Sequence, residues 1–322
     1  FFEIHVGEPT HHLPPDNVQT VPSTMVAERT SPTNMGLYLL AVACARSFGW
    51  IDTAQLLSRC EATLDTLDTL ERHRGHFLNW YDTRTLEILK PAYVSTVDSG
   101  NLCGHLLALA GACDALLHDS QPDVETPVST RLQALAARCR KLATEPEFGF
   151  LYHPRKRLLH IGYRVADSAL DTSLYDLLAS EARLASLWAI AKGDVPAEHW
   201  GSLGRPFYGV GRRAALRSWS GSMFEYLMPA LVLDEPVGSA LNTAARSAIY
   251  EQQRYAQSHD VPWGVSECAY AAGDHTLAYQ YAPQGVPRLA LRRTPADDLV
   301  VAPYATGLAA MFDRPAAEAN FL

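Results

Sequence analysis

Apolar residues recur at helical spacing in block after block of this chain, and the blocks come in pairs. A glycine or a short turn joins the members of a pair, and a long aromatic-rich stretch leads to the next. Ser31-Pro32 supplies an N-cap followed by proline at the first helical position. It predicts a helix running to about Phe48, where Gly49 stops it. Leu56, Leu57, Cys60, Leu64, Leu67 and Leu70 predict a second helix from Asp52 to Arg74, ended by Gly75. Further helices are predicted over Ser99–Leu117, Thr126–Thr144, Thr172–Ala191 and 238–257, with a short one near 305–313. Residues 1–30 read as irregular, 76–97 as extended, 148–164 as a hairpin, and 200–235 as an irregular Gly-, Trp- and Pro-rich stretch. Paired helices with long loops imply an all-α toroid, a single domain over 1–322, with the loops building a cleft.

Composition narrows the function. Hydrophobic residues at 48% and charged residues at 19% are an ordinary globular mix, enough for a core without staples. A net charge of -8 argues against a nucleic-acid surface, which needs a basic stripe. The longest apolar run, Gly36 to Ala45, is far short of a membrane helix. The six cysteines show no C-x-x-C spacing and fall in apolar helical patterns, which reads as reduced, buried thiols. His73, His76, His105 and His153 form no H-E-x-x-H set, and neither a metal site nor a cofactor is expected. With no P-loop, dinucleotide fingerprint or serine elbow, paired acids are the remaining catalytic option.

Glu181 is the most informative acid. The helix predicted around it would put Leu174, Leu177, Leu178, Leu184, Ala185 and Trp188 on one face, with Glu181 at the centre of the stripe. A carboxylate there needs a partner or a function; desolvation would raise its pKa as a general acid requires, and a structural salt bridge is the alternative. Glu267, in Trp263-Gly264-Val265-Ser266-Glu267, stands beside an aromatic as a nucleophile or base would, or as an ordinary helix-start carboxylate. Glu225, alone among apolar residues, could catalyse, bind a sugar hydroxyl or brace the scaffold. Asp82 and Asp98 are similar, and Asp98 could simply cap the following helix. Trp80, Tyr81, Trp219, Tyr226, Trp263, Tyr279, Tyr281 and Tyr304 gather near these acids in sequence. Stacking on sugar faces would use such rings; core packing is the alternative for each.

Five ordered motifs carry a resemblance: Thr30-Ser31-Pro32-Thr33-Asn34-Met35-Gly36-Leu37-Tyr38, Asn79-Trp80-Tyr81-Asp82, Val97-Asp98-Ser99-Gly100-Asn101-Leu102, Ser220-Gly221-Ser222-Met223-Phe224-Glu225-Tyr226-Leu227-Met228-Pro229 and Trp263-Gly264-Val265-Ser266-Glu267. Together they resemble the central glycoamylase-like domain of cyclic β-1,2-glucan synthases, kin to endo-β-1,2-glucanases. The resemblance implies an (α/α)6 barrel and an anomer-retaining transglycosylase that cyclises linear β-1,2-glucan; the alternatives are an endo-β-1,2-glucanase that uses water and a non-catalytic glucan-binding domain. It implies Glu267 as nucleophile and Glu181 as acid/base, facing each other across a cleft lined by Asp98, Glu225 and the aromatics. In such synthases the domain lies between a membrane-bound glucosyltransferase and a phosphorylase-like region, on the cytoplasmic side of the inner membrane. The opening Phe1-Phe2-Glu3 and the closing Ala316-Ala317-Glu318-Ala319-Asn320-Phe321-Leu322 read as mid-chain, so a piece of a longer protein is expected, with the barrel's last helices absent.

Overall fold

The computed structural model describes residues 1–119, 127–211, 213–271, 275–292 and 299–322, and they form two compact units. Unit 1 comprises Phe1–Val18, Val26–Tyr175 and Leu184–Gly201; unit 2 comprises Gln19–Met25, Asp176–Arg183 and Ser202–Leu322.

Unit 1 is built on helices α1 (Pro32–Ser47), α2 (Thr53–Thr69), α3 (Thr96–Asp119) and α4 (Pro127–Thr144). Ser31 caps α1 as expected, accepting from the Asn34 backbone N–H, and Gly49 leaves it at φ +73°. Asp52 caps α2 through a reciprocal box with Gln55. That helix ends at Thr69 rather than Arg74, because the chain turns extended and makes a hairpin, Arg72–His73 against His76–Phe77. Gly75 therefore serves a hairpin turn: at φ +79°, a Cβ there would stand 2.2 Å from the Glu145 carbonyl oxygen. Helix α3 packs against α1 and α4 and buries Leu102, Leu106, Leu109 and Cys113 in the core. Over Thr96–His118 it is, among the described residues, the one helix long and apolar enough to cross a bilayer; here it is a core helix. The expected start of α4 at Thr126 lies outside the described residues.

A five-stranded antiparallel sheet shares this unit, with β1 (Arg29–Thr30), β2 (Asn79–Asp82), β3 (Ile88–Ser95), β4 (Gly162–Arg164) and β5 (Ala169–Leu170) in the order β5-β4-β3-β2-β1. The stretch 76–97, expected to be extended, supplies β2 and β3, β4 lies within the stretch expected to form a hairpin, and the fold is helical with strands rather than all-helical. The hairpin expected over 148–164 is present as Tyr152–His153 against Leu158–His160, and Leu174–Tyr175 adds a third strand.

That third strand overturns the helix predicted over Thr172–Ala191. Leu177 makes a parallel bridge to Gly204, Ser180 turns the chain, and helix α5 spans only Arg183–Lys192. Leu177, Leu178 and Ala179 are buried in succession, so their spacing reflects an enclosed, bent segment bridged at Leu177 and not one helical face.

Unit 2 holds the β6–β7 hairpin (Phe207–Val210 and Arg213–Leu216), the short helix α6 (Met223–Leu227) and α7 (Ala240–His259). Beyond them lie the β8–β9 hairpin (Cys268–Tyr270 and Gln280–Ala282), α8 (Pro303–Ala309) and α9 (Arg314–Phe321). The stretch 200–235 is therefore more ordered than expected. Helix α7 packs against both β7 and α6.

Candidate active site

The segment that carries Glu267 is tied to three helices of unit 2. It is fixed by the buried Gln252 of α7, whose side-chain amide donates to the Val265 carbonyl (2.7 Å) and accepts from the Val265 N–H (2.8 Å). Gly264 turns the chain just before it at φ +131°, a conformation that L side chains rarely adopt. Tyr304 of α8 donates to the Glu267 carbonyl at 2.7 Å. Asn320 of α9 pins the other end of the segment at Trp263 (3.1 and 2.8 Å).

The carboxylate of Glu267 accepts one hydrogen bond on each oxygen: from Tyr281 of β9 on Oε2, and from Ser222 at 3.2 Å on Oε1. One proton assignment satisfies the surrounding hydroxyls. Tyr304 donates to the Glu267 carbonyl, Ser266 donates to Tyr304 (2.8 Å), and Ser222 is left to donate to Glu267. Burial, and after it the Glu225 charge, raise the Glu267 carboxyl above its ordinary range; hydrogen bonds from Tyr281 and Ser222 and the Arg292 charge pull the other way. Burial and the Glu267 charge push the Tyr281 phenol far above its ordinary value.

Glu181 lies in the turn just before α5, half-buried, rather than in mid-helix as predicted. Its charge acts, more weakly than Glu267, on both Tyr281 and Tyr304, so the two acids share two phenols as electrostatic neighbours. The turn is tied down by Arg183, whose buried guanidinium donates to the carbonyls of Ser180 (2.9 Å), Glu225 (2.8 Å) and Tyr226 (2.7 Å) and to the Glu235 carboxylate (2.7 Å). A buried ion pair stands two residues beyond Glu181, between Arg183 and Glu235, and the Glu181 charge also acts on Arg183.

Glu225 is buried, and its carboxylate accepts from the hydroxyls of Ser218 and Ser220 and from the N–H groups of Ser220 and Ser222. Trp263 is buried at the turn, and Trp219 is nearly half exposed with its indole N–H on Asp176 (3.0 Å). Tyr279 donates its backbone N–H to Gln19 (2.8 Å). Tyr226 is a correction: it is 2% exposed and its hydroxyl bonds to the Leu216 carbonyl, so it packs the core and offers nothing to a ligand.

In unit 1, Tyr81 is likewise corrected: fully buried, it donates to the Glu71 carbonyl and accepts from the Leu78 N–H. Asp82 closes a turn by accepting from the N–H groups of Arg84 and Thr85. Asp98 sits in the first turn of α3, with Thr33 (2.6 Å) and Asn79 (3.0 Å) donating to its two oxygens. Trp80 carries the Arg29 guanidinium over its ring. Among the described residues no three His, Cys, Asp or Glu gather as metal ligands would.

The sequence reading missed Ser218, Ser222, Ser266, Arg183, Gln252 and Arg292. One signal was available: Ser222-x-x-Glu225 is a capping-box spacing.

Known proteins resemble this chain in both sequence and fold. Residues 173–321 match the Glycoamylase family model, described as "Putative glucoamylase". The chain is 38% identical to the cyclic β-(1,2)-glucan synthase NdvB of Rhizobium meliloti (strain 1021), over an alignment of 433 residues that takes in 99% of this chain and 15% of the relative. The fold is that of an endo-β-1,2-glucanase from Talaromyces funiculosus solved with sophorose (TM-score 0.78, 15% identity, 98% of this chain and 71% of that one). It is also that of an endo-β-1,2-glucanase from Chitinophaga pinensis solved with sophorotriose and glucose (TM-score 0.71, 15% identity, 97% and 76%). Residues 173–321 thus resemble a glycoamylase family model, and the chain is similar in sequence to a segment of a cyclic β-1,2-glucan synthase and in fold to endo-β-1,2-glucanases.

Proposed function

We propose that this chain is an anomer-retaining β-1,2-glucan transglycosylase that closes linear chains into rings, with Glu267 as nucleophile and Glu181 as acid/base. The observation that carries the reading is the Glu267 carboxylate, gripped on both oxygens by Tyr281 and Ser222 while sharing its tyrosine neighbours with a second acid. A carboxylate so oriented cannot swing away, and its remaining lone pairs are available for in-line attack. The names of the sequence relative and of the solved neighbours supply the substrate, β-1,2-glucan. The architecture proposed for the chain is the (α/α)6 barrel.

In the proposed reaction Glu181 protonates the leaving oxygen, directly or through a sugar hydroxyl, as Glu267 attacks the anomeric carbon. The glycosyl-enzyme forms with inversion, and a glucan hydroxyl displaces it with a second inversion, giving net retention. A hydroxyl from the same chain gives a ring; water gives hydrolysis. The proposed partners are linear β-1,2-glucan and other domains of a longer polypeptide, a membrane glucosyltransferase and a phosphorylase-like region, and the proposed location is the cytoplasmic face of the inner membrane.

The test is mass spectrometry of products from linear β-1,2-glucan. Ions one water lighter than the linear chains are expected; only shorter linear chains would make the protein an endo-glucanase. Glu267→Gln should lower turnover on the order of 10⁴-fold, and Glu181→Gln by about 10²- to 10⁴-fold. Initial release of the α-anomer in an NMR time course would recast Glu267 as a base acting on water.

A further inference from the structure

We propose that Glu225 is a positioning residue for Glu267: it touches no glucan, and it assembles the Ser218–Ser222 loop so that one hydroxyl, that of Ser222, points at the Glu267 carboxylate. The inference rests on the assignment of Glu267 as nucleophile.

The loop Ser218-Trp219-Ser220-Gly221-Ser222 wraps the Glu225 carboxylate. Oε2 accepts from Ser218 Oγ at 2.8 Å, Ser220 Oγ, Ser220 N at 3.2 Å and Ser222 N at 3.1 Å, and Oε1 accepts from Ser220 N at 3.3 Å. Two serine hydroxyls therefore give their only proton to Glu225. Ser218 Oγ in turn accepts from the Gly221 N–H (2.9 Å), and Ser220 Oγ from the Ser222 N–H (3.3 Å), so the loop closes on itself around one carboxylate.

Ser222 differs from the other two. The Glu225 carboxylate holds it by its backbone N–H without bonding its hydroxyl, and the reciprocal half of the capping box runs from the Glu225 main-chain N–H to the Ser222 side chain. As the N-cap of α6, Ser222 uses the lone pairs of Oγ for the Phe224 N–H (3.2 Å) and the Glu267 N–H (3.3 Å). Its proton remains for Glu267 Oε1 at 3.2 Å, with Ser266 Oγ at 3.0 Å as the other acceptor in reach. Both the main chain and the carboxylate of Glu267 thus bear on a hydroxyl that Glu225 places. With its carboxylate taken up by the loop and its residue 8% exposed, Glu225 has little surface to offer a sugar.

The same arrangement sets a second negative charge near the nucleophile. The titratable and charged groups facing Glu267 are Glu225, Tyr281 from β9, Tyr304 from α8, Arg292, and the adjoining Cys268. Among them Glu225 raises the Glu267 carboxyl and Arg292 lowers it. Neutralising Glu225 should therefore lower the pH at which Glu267 ionises.

The test is Glu225→Gln in the whole chain, read in two ways. On linear β-1,2-glucan, kcat should fall about a hundredfold with KM nearly unchanged, because orientation is lost and binding is not. In carboxyl-13C NMR with labelled glutamate, assigned by Glu267→Gln, the Glu267 midpoint should move lower than in the wild type. Ser222→Ala, which keeps Glu225 and its loop bonds, should give the same kcat loss, and covers the case in which Glu225→Gln does not fold. A raised KM with kcat intact in Glu225→Gln would make it a sugar ligand and overturn the proposal; so would an unmoved midpoint, or full activity in Ser222→Ala. A wild-type chain inert toward β-1,2-glucan sinks the function reading instead, and the NMR midpoint still decides whether Glu225 governs Glu267.

Discussion

Arg183 shows how much a single side chain can fix. Its guanidinium is 1% exposed and makes four hydrogen bonds, three to carbonyls and one to Glu235, which is 5% exposed. Burial lowers its pKa, and the Glu235 charge opposes that shift. Breaking a buried pair leaves the other charge stranded, which costs about 3–5 kcal/mol, whereas replacing both partners with apolar groups is often neutral. Arg183→Met should therefore lower the urea-derived unfolding free energy by that amount, and adding Glu235→Leu should recover the part due to the stranded charge but not the part due to the three orphaned carbonyls. Activity should not recover in the double variant, since the Ser180 carbonyl is still untethered and Glu181 is carried on that turn. Restored turnover would show that the clamp serves stability alone. The motif reading could not see Arg183, because its partners lie 3 to 52 residues away and only folding brings them together.

At the scale of elements, the sequence was most informative where local chemistry decides the outcome. The Ser31-Pro32 start and Gly49 stop of α1 were legible because caps are set by neighbouring residues. The Leu174–Trp188 stripe misled because Leu177 and Leu178 are enclosed by pairing with Gly204, a contact 27 residues away. Glu267 stands out in the sequence by its motif, whereas the loop that carries Ser218, Ser220 and Ser222 reads as irregular, since serines carry no hydrophobic period. Close backbone approaches were equally hidden. A Cβ on Gly285 would stand 2.0 Å from the Ser220 carbonyl oxygen and 2.5 Å from the Gly221 carbonyl carbon, both main-chain atoms of the loop around Glu225. Gly285→Ala should displace that loop, costing about 1–3 kcal/mol by overpacking and lowering kcat with it. Gly201→Ala, where nothing stands within 4 Å of the added carbon, should stay within about 0.5 kcal/mol of wild type. Equal melting temperatures for the two variants would refute the close approach.

Across the whole molecule, the two units should answer acid in opposite directions. His76 and His105, both in unit 1, are buried, and desolvation pulls each from an ordinary value near 6.5 down to about 4. In the unfolded chain both take up a proton as pH falls through 6.5; in the folded unit neither does until about 4. Between those values the unfolded state binds more protons, so stability falls with pH by up to about 1.4 kcal/mol per pH unit for each histidine, and it is intact above the window. Glu267, in unit 2, behaves in reverse. Its folded value is raised, so its contribution is complete at low pH and is lost as pH rises through that value. Acidification below about 6.5 therefore weakens unit 1, while unit 2 regains the Glu267 contribution as pH falls through that raised value. Hydrogen exchange, corrected for the intrinsic pH dependence of amide chemistry, should show protection falling first in α1, in α3 around His105 and in the hairpin around His76. The segments 218–228 and 263–270 should keep theirs. His105→Gln should flatten the acid response of unit 1, because an amide takes up no proton in that window. Protection lost first around Glu267 would reverse the expected order, and would mean that some group other than these histidines governs the acid response.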